Sequence, residues 1–308
     1  ELREVRVEDV LERETVSLEE HDLVGFLGGK VVMVTGAGGS IGSELARQVA
    51  RFSPSRLLLV ERSEPALYTV DRDLREAWPT LSIVPVVGDV GDRERMLSVF
   101  REHGVSVVAH AAAHKHVPLM ETNATEGVKN NVLGSQTLGE VAGECGVEAF
   151  IFISTDKAVR PSSVMGATKR VAELVVQGLG ARCATRYVAV RFGNVLGSAG
   201  SDAKRMIELS GHRRSGEIDI VFTGVRPGEK LFEELQYGGE AIDKTRHPKI
   251  FVGKIAGVPA SELSAALSSL RGLASSGSSD EIRAFLGAFL PEAQMNGGAN
   301  GATPPPAA

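Results

Sequence analysis

Residues 31–52 limit the fold more than any other segment. Five apolar or β-branched residues, VVMVT, run into Gly36-Ala37-Gly38-Gly39-Ser40-Ile41-Gly42, and the helical pattern SELARQVARF follows. A strand, a glycine turn and a helix in this order open a parallel βα unit. Each of the three evenly spaced glycines has a physical task. Gly36 permits the sharp turn, Gly39 lets the backbone approach a phosphate, and Gly42 lets the helix pack closely on the sheet. The N–H groups around Gly38, Ser40 and Ile41, together with the positive end of the helix, then face an anion. Glycines alone are weak evidence. With the strand before them and the helix after, the turn reads as a dinucleotide site.

The alternation continues along the chain. Apolar runs recur at 57–61, 83–87, 105–111, 149–154 and 187–192, with helix-length segments between them. Strands that are apolar throughout need cover on both faces, which is the mark of a parallel sheet between two helical layers. The expected fold is α/β, a Rossmann-type doubly wound parallel sheet with a smaller C-terminal substrate lobe. Residues 1–29 read as an arm or linker with a short helix and a turn at Gly28–Gly29. Residues 30–192 read as the NAD-binding domain and 193–290 as the lobe. The Pro/Gly/Ala-rich residues 291–308 read as a disordered tail. A chain of 308 residues, 43% hydrophobic and 24% charged, can build such a core.

Glu61 ends the second strand, about 20 residues past the turn, where a carboxylate accepts hydrogen bonds from the adenine ribose and repels a 2′-phosphate. That favours NAD. Arg62 follows directly and can instead pair with a 2′-phosphate, which keeps NADP as the alternative. Asp89-Val90, after the third strand, falls at the adenine edge; the other reading of Asp89 is a plain helix cap before Asp92. A net charge of −5 offers no counterion-release gain, so no nucleic-acid partner is expected. Cys145 and Cys183 read as reduced structural thiols. His114 and His116 flank Lys115 with no carboxylate or cysteine at ligand spacing, so no metal site is expected. No apolar run approaches the ~18 residues of a membrane span.

Six segments together resemble one family. They are TGAGGSIGSE (35–44), HAAAHKHVPLME (110–121), NNVLG (130–134), STDKAVRPSSVMGATKR (154–170), RFGNVLGS (191–198) and TGVRPGEKLFEEL (223–235). They are similar to the extended short-chain dehydrogenase/reductase superfamily. Within it they resemble the CapD-like polysaccharide-biosynthesis dehydratases, which act on UDP-N-acetylglucosamine. The resemblance covers most of residues 1–255. The arm LREVRVEDVLERE resembles the stretch before the catalytic domain in long, membrane-anchored members. It implies a soluble domain on the cytoplasmic side whose full-length parent is a multi-pass membrane protein. Family resemblance also implies a homo-oligomer.

Two departures stand out. Most of the superfamily has Tyr-x-x-x-Lys, in which the phenol moves a proton; here Met165 takes the tyrosine's place, four residues before Lys169. A thioether carries no proton, so another group must supply acid–base work worth roughly 10²–10⁴-fold in rate. The long-form dehydratases share this methionine. The second departure is at 201/202, where Ser201 passes directly to DAKRMIELSG, similar to a helix the family places several elements later. A stretch of the lobe is expected to be missing there, as a deletion or as a segment left out of the sequence.

The resemblance implies a 4,6-dehydration in which hydride passes from sugar C4 to NAD and on to C6, while the C6 hydroxyl leaves as water. It assigns Thr155 to the C4 hydroxyl, Asp156 to the acid at the C6 hydroxyl and Lys157 to the base at C5. Lys169 is assigned to the nicotinamide ribose and to the positive charge that makes a neighbouring lysine a better base. Ala111, Ala112, Ala113 and Lys115 fall along the cofactor after the fourth strand, and Asn131 supports the backbone there. Lys115 and His116 face the sugar. Asn194, Arg226 and Glu229 are the implied UDP-sugar contacts, the arginine fork suiting a diphosphate. The alternatives are a nucleotide-sugar 4-epimerase on the same scaffold and a non-catalytic NAD-binding protein.

Overall fold

The computed structural model describes residues 20–193, 228, 230, 234–236, 241–245, 247, 250–254 and 257–295. Residues 1–19 of the arm, Asn194, Arg226, Glu229, the 201/202 junction and residues 296–308 of the tail lie outside these.

Six strands, β1 (Val31–Thr35), β2 (Arg56–Glu61), β3 (Ile83–Val87), β4 (Val107–His110), β5 (Ala149–Ile153) and β6 (Arg186–Val190), form one sheet in the order β3-β2-β1-β4-β5-β6. Every pairing is parallel. The chain winds outward from β1 to β3, then returns to β1's other side with β4. The loops after β1 and β4 therefore diverge, and their divergence opens a crevice at the carboxyl edge. Register sets Thr35 between Val60 and His110 on that edge.

The helices are α1 (Glu20–Leu27), α2 (Ser40–Ala50), α3 (Glu64–Ala77), α4 (Arg93–His103), α5 (Val117–Thr122), α6 (Ala124–Gly127), α7 (Ser135–Glu144), α8 (Val164–Gly180), α9 (Ala260–Ser276) and α10 (Ser279–Phe289). Successive strand residues point to opposite faces, and both faces are covered. Met33, Leu58, Val60, Val108, Phe150 and Phe152 pack with α4, α7 and α8. Val32, Val34, Leu57, Leu59, Val107 and Ala109 pack with α1, α2 and α3. Each such side chain contributes roughly 1.5–3 kcal/mol of burial, which fixes the register from both sides.

Helix α8 is buried along nearly its whole length. A helix buried all round needs a second layer outside it. That layer is α9 and α10, whose Leu263, Leu267, Leu270, Ile282 and Leu286 share one core with Val171, Leu174 and Val175. These two helices lie in the residues assigned to the smaller lobe, yet they complete the core around the sheet domain. The packing also runs past the expected boundary at 290. Leu290 and Met295 are buried, Arg170 bonds Glu292 at 2.7 Å, and the Gln294 N–H donates to Pro161 O at 2.8 Å. A tail judged by averaged composition hides an apolar anchor, Met295, near its start. Strands β7 (Ala241–Lys244) and β8 (Phe251–Lys254) form a separate antiparallel pair. Among the described residues no helix is long and apolar enough to cross a membrane.

Candidate active site

The turn after β1 is built by backbone crowding. Gly36 has φ +66°, and a Cβ there would lie 2.6 Å from the Ala112 Cα. A Cβ on Gly42 would lie 2.0 Å from Gly36 O, so the first turn of α2 sits directly on the strand end. The N-cap of α2 is Gly39, with no side-chain cap and no acid in the first turn. Its leading N–H groups, at Ser40 and Ile41, thus meet neither a capping oxygen nor a competing carboxylate, the condition for receiving an anion.

A cleft of about 240 Å³ opens beside this turn. Of the residues expected at a cofactor, Gly36, Gly39, Glu61, Arg62, Asp89, Val90, Ala111, Ala112 and Ala113 line it. Glu61 accepts from Gly38 N–H at 3.2 Å and Ser63 N–H at 3.0 Å, so its carboxylate is held in place at the rim. Asp89 accepts from Gly91 N–H at 2.8 Å, and the helix cap is Asp92, bonded to Arg95 N–H at 3.0 Å. The cap reading therefore belongs to Asp92 and leaves Asp89 at the cleft. Arg62 Nη2 lies 3.2 Å from His114 Nε2. Burial first, and then Arg62, holds the His114 imidazole below its ordinary pKa.

Of the other expected cofactor residues, Gly38, Ser40, Ile41 and Gly42 belong to the turn beside the cleft, and Lys115, Asn131 and Lys169 do not line it. Asn131 is fully buried, accepting from His114 N–H at 2.8 Å and donating to His114 O and Thr168 Oγ1 at 3.0 Å each. It supports the cleft wall from behind. Its neighbour Asn130 lines the cleft instead, and among the described residues the Asn130 Oδ1 is buried without a hydrogen-bond partner. The reason is the π-type turn at Val128–Gly134, whose wider winding shifts the face each asparagine presents. The Asn-Asn doublet was the available signal, but its helical phase was not legible. Lys169 lies elsewhere, under the end of β5. Lys115 and His116 stand exposed just past His114, at the start of α5.

The second constellation follows β5. Thr155 caps a single 3₁₀ turn, Asp156–Ala158. Its hydroxyl donates to Asp156 Oδ1 at 2.8 Å and accepts from Lys157 N–H at 3.4 Å. Lys157 Nζ lies 3.1 and 3.4 Å from the two Asp156 oxygens. The Asp156 side chain is 2% exposed and that of Lys157 21%. Asp156 N–H bonds Phe192 O at 3.2 Å, which ties the turn to the segment that follows β6. Helix α8 begins against this turn; a Cβ on Gly166 would lie 2.2 Å from Lys157 O, so glycine is required between Met165 and Ala167. Met165 is 3% exposed and packs with Val117 and Met120. Lys230, half-buried, donates to Val159 O and pairs with Glu234 at 3.2 Å, which brings Lys230 onto the same turn.

Lys169 donates to Ile153 O at 2.6 Å, with its amine 4.0 Å from the Phe152 ring centre. Burial pushes its pKa down to about 7, against the opposing pull of Glu173. Glu173 is itself fully buried. Ser154 Oγ donates to it at 2.6 Å, Arg191 grips it with Nε and Nη2 at 2.7 Å each, and Arg170 lies at 3.2 Å. Burial alone would raise this carboxyl; Arg191, Ser154 and Arg170 outweigh it and hold it below the ordinary range. Arg191, which follows β6, is thus committed to a carboxylate the sequence did not single out.

The sequence profile of the family described as polysaccharide biosynthesis protein matches residues 32–202 and 202–255, its two parts meeting beside the expected break. The capsular polysaccharide biosynthesis protein CapD of Staphylococcus aureus is 39% identical over 317 aligned positions, covering 82% of this chain and 53% of that protein. An alignment longer than the 308-residue chain means that the relative holds residues with no counterpart here. This chain spans about half of that relative's length. A UDP-N-acetylglucosamine 4,6-dehydratase (inverting) of Campylobacter jejuni is 30% identical over 244 positions, covering 78% of this chain and 71% of that protein. Among solved structures, the X-ray structure of Pen from Bacillus thuringiensis superposes with a TM-score of 0.54 at 30% identity, covering 59% of this chain and 58% of that one. With a profile that extends through most of its length, the chain belongs to the polysaccharide biosynthesis protein family, on the scaffold of the extended short-chain dehydrogenases/reductases.

Proposed function

We propose that the chain is the catalytic domain of an NAD-dependent UDP-N-acetylglucosamine 4,6-dehydratase serving surface polysaccharide synthesis. One observation carries the reading. The uncapped glycine cradle and the Asp156–Lys157 pair, with Asp156 buried, stand on the carboxyl edge of a single parallel sheet. The similarity to the Campylobacter dehydratase supports the substrate class.

The cradle suits a dinucleotide on its own chemistry. The α2 start offers N–H donors to a pyrophosphate, Glu61 offers a carboxylate to a ribose, and the orphaned Asn130 oxygen calls for a donor such as an adenine amino group. When bound, a nicotinamide supplies reversible hydride transfer between sugar C4 and C6. The remaining work is proton movement by the chain. The Lys157 amine lies 3.1 Å from the Asp156 carboxylate. In this reading the proton lost by the C4 hydroxyl on oxidation passes through Thr155 to Asp156. A neutral Lys157 amine takes the C5 proton while Asp156 delivers its proton to the departing C6 oxygen, which leaves as water. Lys157 returns its proton to C5 as hydride reaches C6, and both side chains end as they began. Thr155 orients the carboxyl through its 2.8 Å bond and reaches the C4 hydroxyl by rotating its own. Lys169 orients the nicotinamide ribose, and Met165 takes the tyrosine's place without a proton to give.

Residues 30–192 hold the cofactor and 193–290 the sugar nucleotide in this reading, with Asn194, Arg226 and Glu229 on the UDP-sugar and Lys115 and His116 toward the sugar. Glu61 favours NAD over NADP. The parent protein is membrane-anchored and oligomeric, with this domain on the cytoplasmic side.

Incubation of the chain with NAD and UDP-N-acetylglucosamine tests the reading by mass. Loss of one water supports it, and an unchanged mass with inverted C4 marks an epimerase. Full turnover by both Asp156→Asn and Lys157→Ala would remove the acid–base assignment. The relatives' unmatched stretch favours a second reading, dinucleotide binding without turnover, for which bound NAD with unaltered sugar is the signature.

A further inference from the structure

His110, the last residue of β4, takes no part in the chemistry above, yet it is fully buried with both ring nitrogens engaged. Nδ1 lies 2.7 Å from Thr35 Oγ1 and Nε2 lies 2.9 Å from Ser135 Oγ. The Ser135 hydroxyl has a single proton, and it donates that proton to Asn131 O at 2.7 Å. Its oxygen must therefore accept from His110 Nε2–H. Nδ1 then carries no proton and accepts from Thr35 Oγ1–H. The tautomer follows from the network, and so does the direction of every bond in it.

The ends of this chain are the two walls of the cleft. Thr35 immediately precedes Gly36, the start of the phosphate turn. Asn131 holds the His114 backbone through two bonds and Thr168 through a third. The imidazole lies between them against Phe150 and Phe152, at ring distances of 5.7 and 5.6 Å.

Building on the dinucleotide reading above, we propose that His110 is a positioning residue for the cofactor: a neutral imidazole that locks the glycine turn of β1 to the wall held by Asn131, and so sets the cleft to the width the dinucleotide needs. Burial, reinforced by Lys169, pushes the imidazole pKa down to about 3, in keeping with a ring that accepts at one nitrogen and donates at the other.

The test is a binding cycle on the whole 308-residue chain. Affinities for NAD and NADP are measured by calorimetry for wild type, Thr35→Val, Ser135→Ala, the double variant, and the same three on a His110→Phe background, with melting temperatures recorded alongside. His110→Phe should weaken binding about tenfold, the scale of one buried group left unpaired. On the histidine background the double variant should lose less than the product of the two singles. On the phenylalanine background Thr35→Val and Ser135→Ala should add nothing. Additive losses, or a lowered melting temperature with unchanged affinity, would overturn the proposal. If His110→Phe does not fold, the Thr35–Ser135 cycle alone decides in the same way. A wild-type chain that binds neither dinucleotide overturns the dinucleotide reading together with this inference, whereas wild-type binding that all variants keep overturns the inference alone.

Discussion

Replacing Arg191 by leucine tests how the carboxyl edge is held together. Arg191 grips Glu173 with two bonds of 2.7 Å, and the two side chains are 11% and 0% exposed. Breaking a buried pair from one side strands the other charge, which costs about 3–5 kcal/mol. Ser154 and Arg170 still bond Glu173, so the lower part of that range is expected, about 3 kcal/mol. Against a total stability of roughly 5–15 kcal/mol this is a large fraction. Urea unfolding followed by circular dichroism should show a midpoint lowered by about 1 M or more. The pH dependence carries the sharper sign. In the wild type the Glu173 pKa lies below its ordinary value, so its contribution is present above about 4.5 and is lost as pH falls through the folded pKa. In the variant burial dominates and the folded pKa rises. Protonation then relieves the stranded charge, and the gap between wild type and variant narrows as pH falls from 7 toward 4. A gap under about 1 kcal/mol at pH 7, or one that stays constant across that range, refutes the reasoning. Arg93→Leu, at the exposed Glu144 pair, should barely move the midpoint.

Three further outcomes are expected. Gly42→Val drives a side chain into Gly36 O and should abolish dinucleotide binding in a calorimetric titration; wild-type affinity would show that the turn tolerates a Cβ. Asn130→Ala should weaken dinucleotide binding about tenfold with little change in melting temperature, whereas Asn131→Ala should lower stability by about 1–3 kcal/mol, and exchange of these two phenotypes would reverse the facing described for the doublet. Between about pH 7 and 10.5 the unfolded chain keeps a proton that folded Lys169 has released, so the penalty for burying this amine shrinks as pH rises. The stability of wild type relative to Lys169→Met should therefore climb by up to about 1.4 kcal/mol per pH unit from 7 to 9, and a flat difference would remove the lowered pKa.

The parallel sheet was legible because its signal is local and redundant. Six apolar runs of strand length, separated by helix-length segments, admit few other arrangements, and the glycine spacing after the first run placed the crevice. The Thr155-Asp156-Lys157 motif was equally legible, since adjacent residues in one turn need no long-range packing to meet. Other features were not. Asn130 and Asn131 are neighbours of one chemical kind, and only the wide turn that carries them decides which one faces the cleft. Glu173 looks like a surface acid on a helix until α8 is seen enclosed between the sheet and α9–α10, where a carboxylate survives only by gathering Ser154, Arg170 and Arg191. The first residues of the tail look unstructured by composition, yet Met295 joins a core that includes residues as distant in sequence as Val128 and Leu174.

By itself, then, the sequence determined the order of strands and helices, the glycine cradle and the chemical groups beside it, because periodicity, backbone freedom and motif spacing act over a few residues. Tertiary structure decided which of those groups are dry, which are paired and which line the cleft. A hydrogen bond or a lowered pKa depends on what packs around a group, and in this fold those neighbours come from separate segments of the chain.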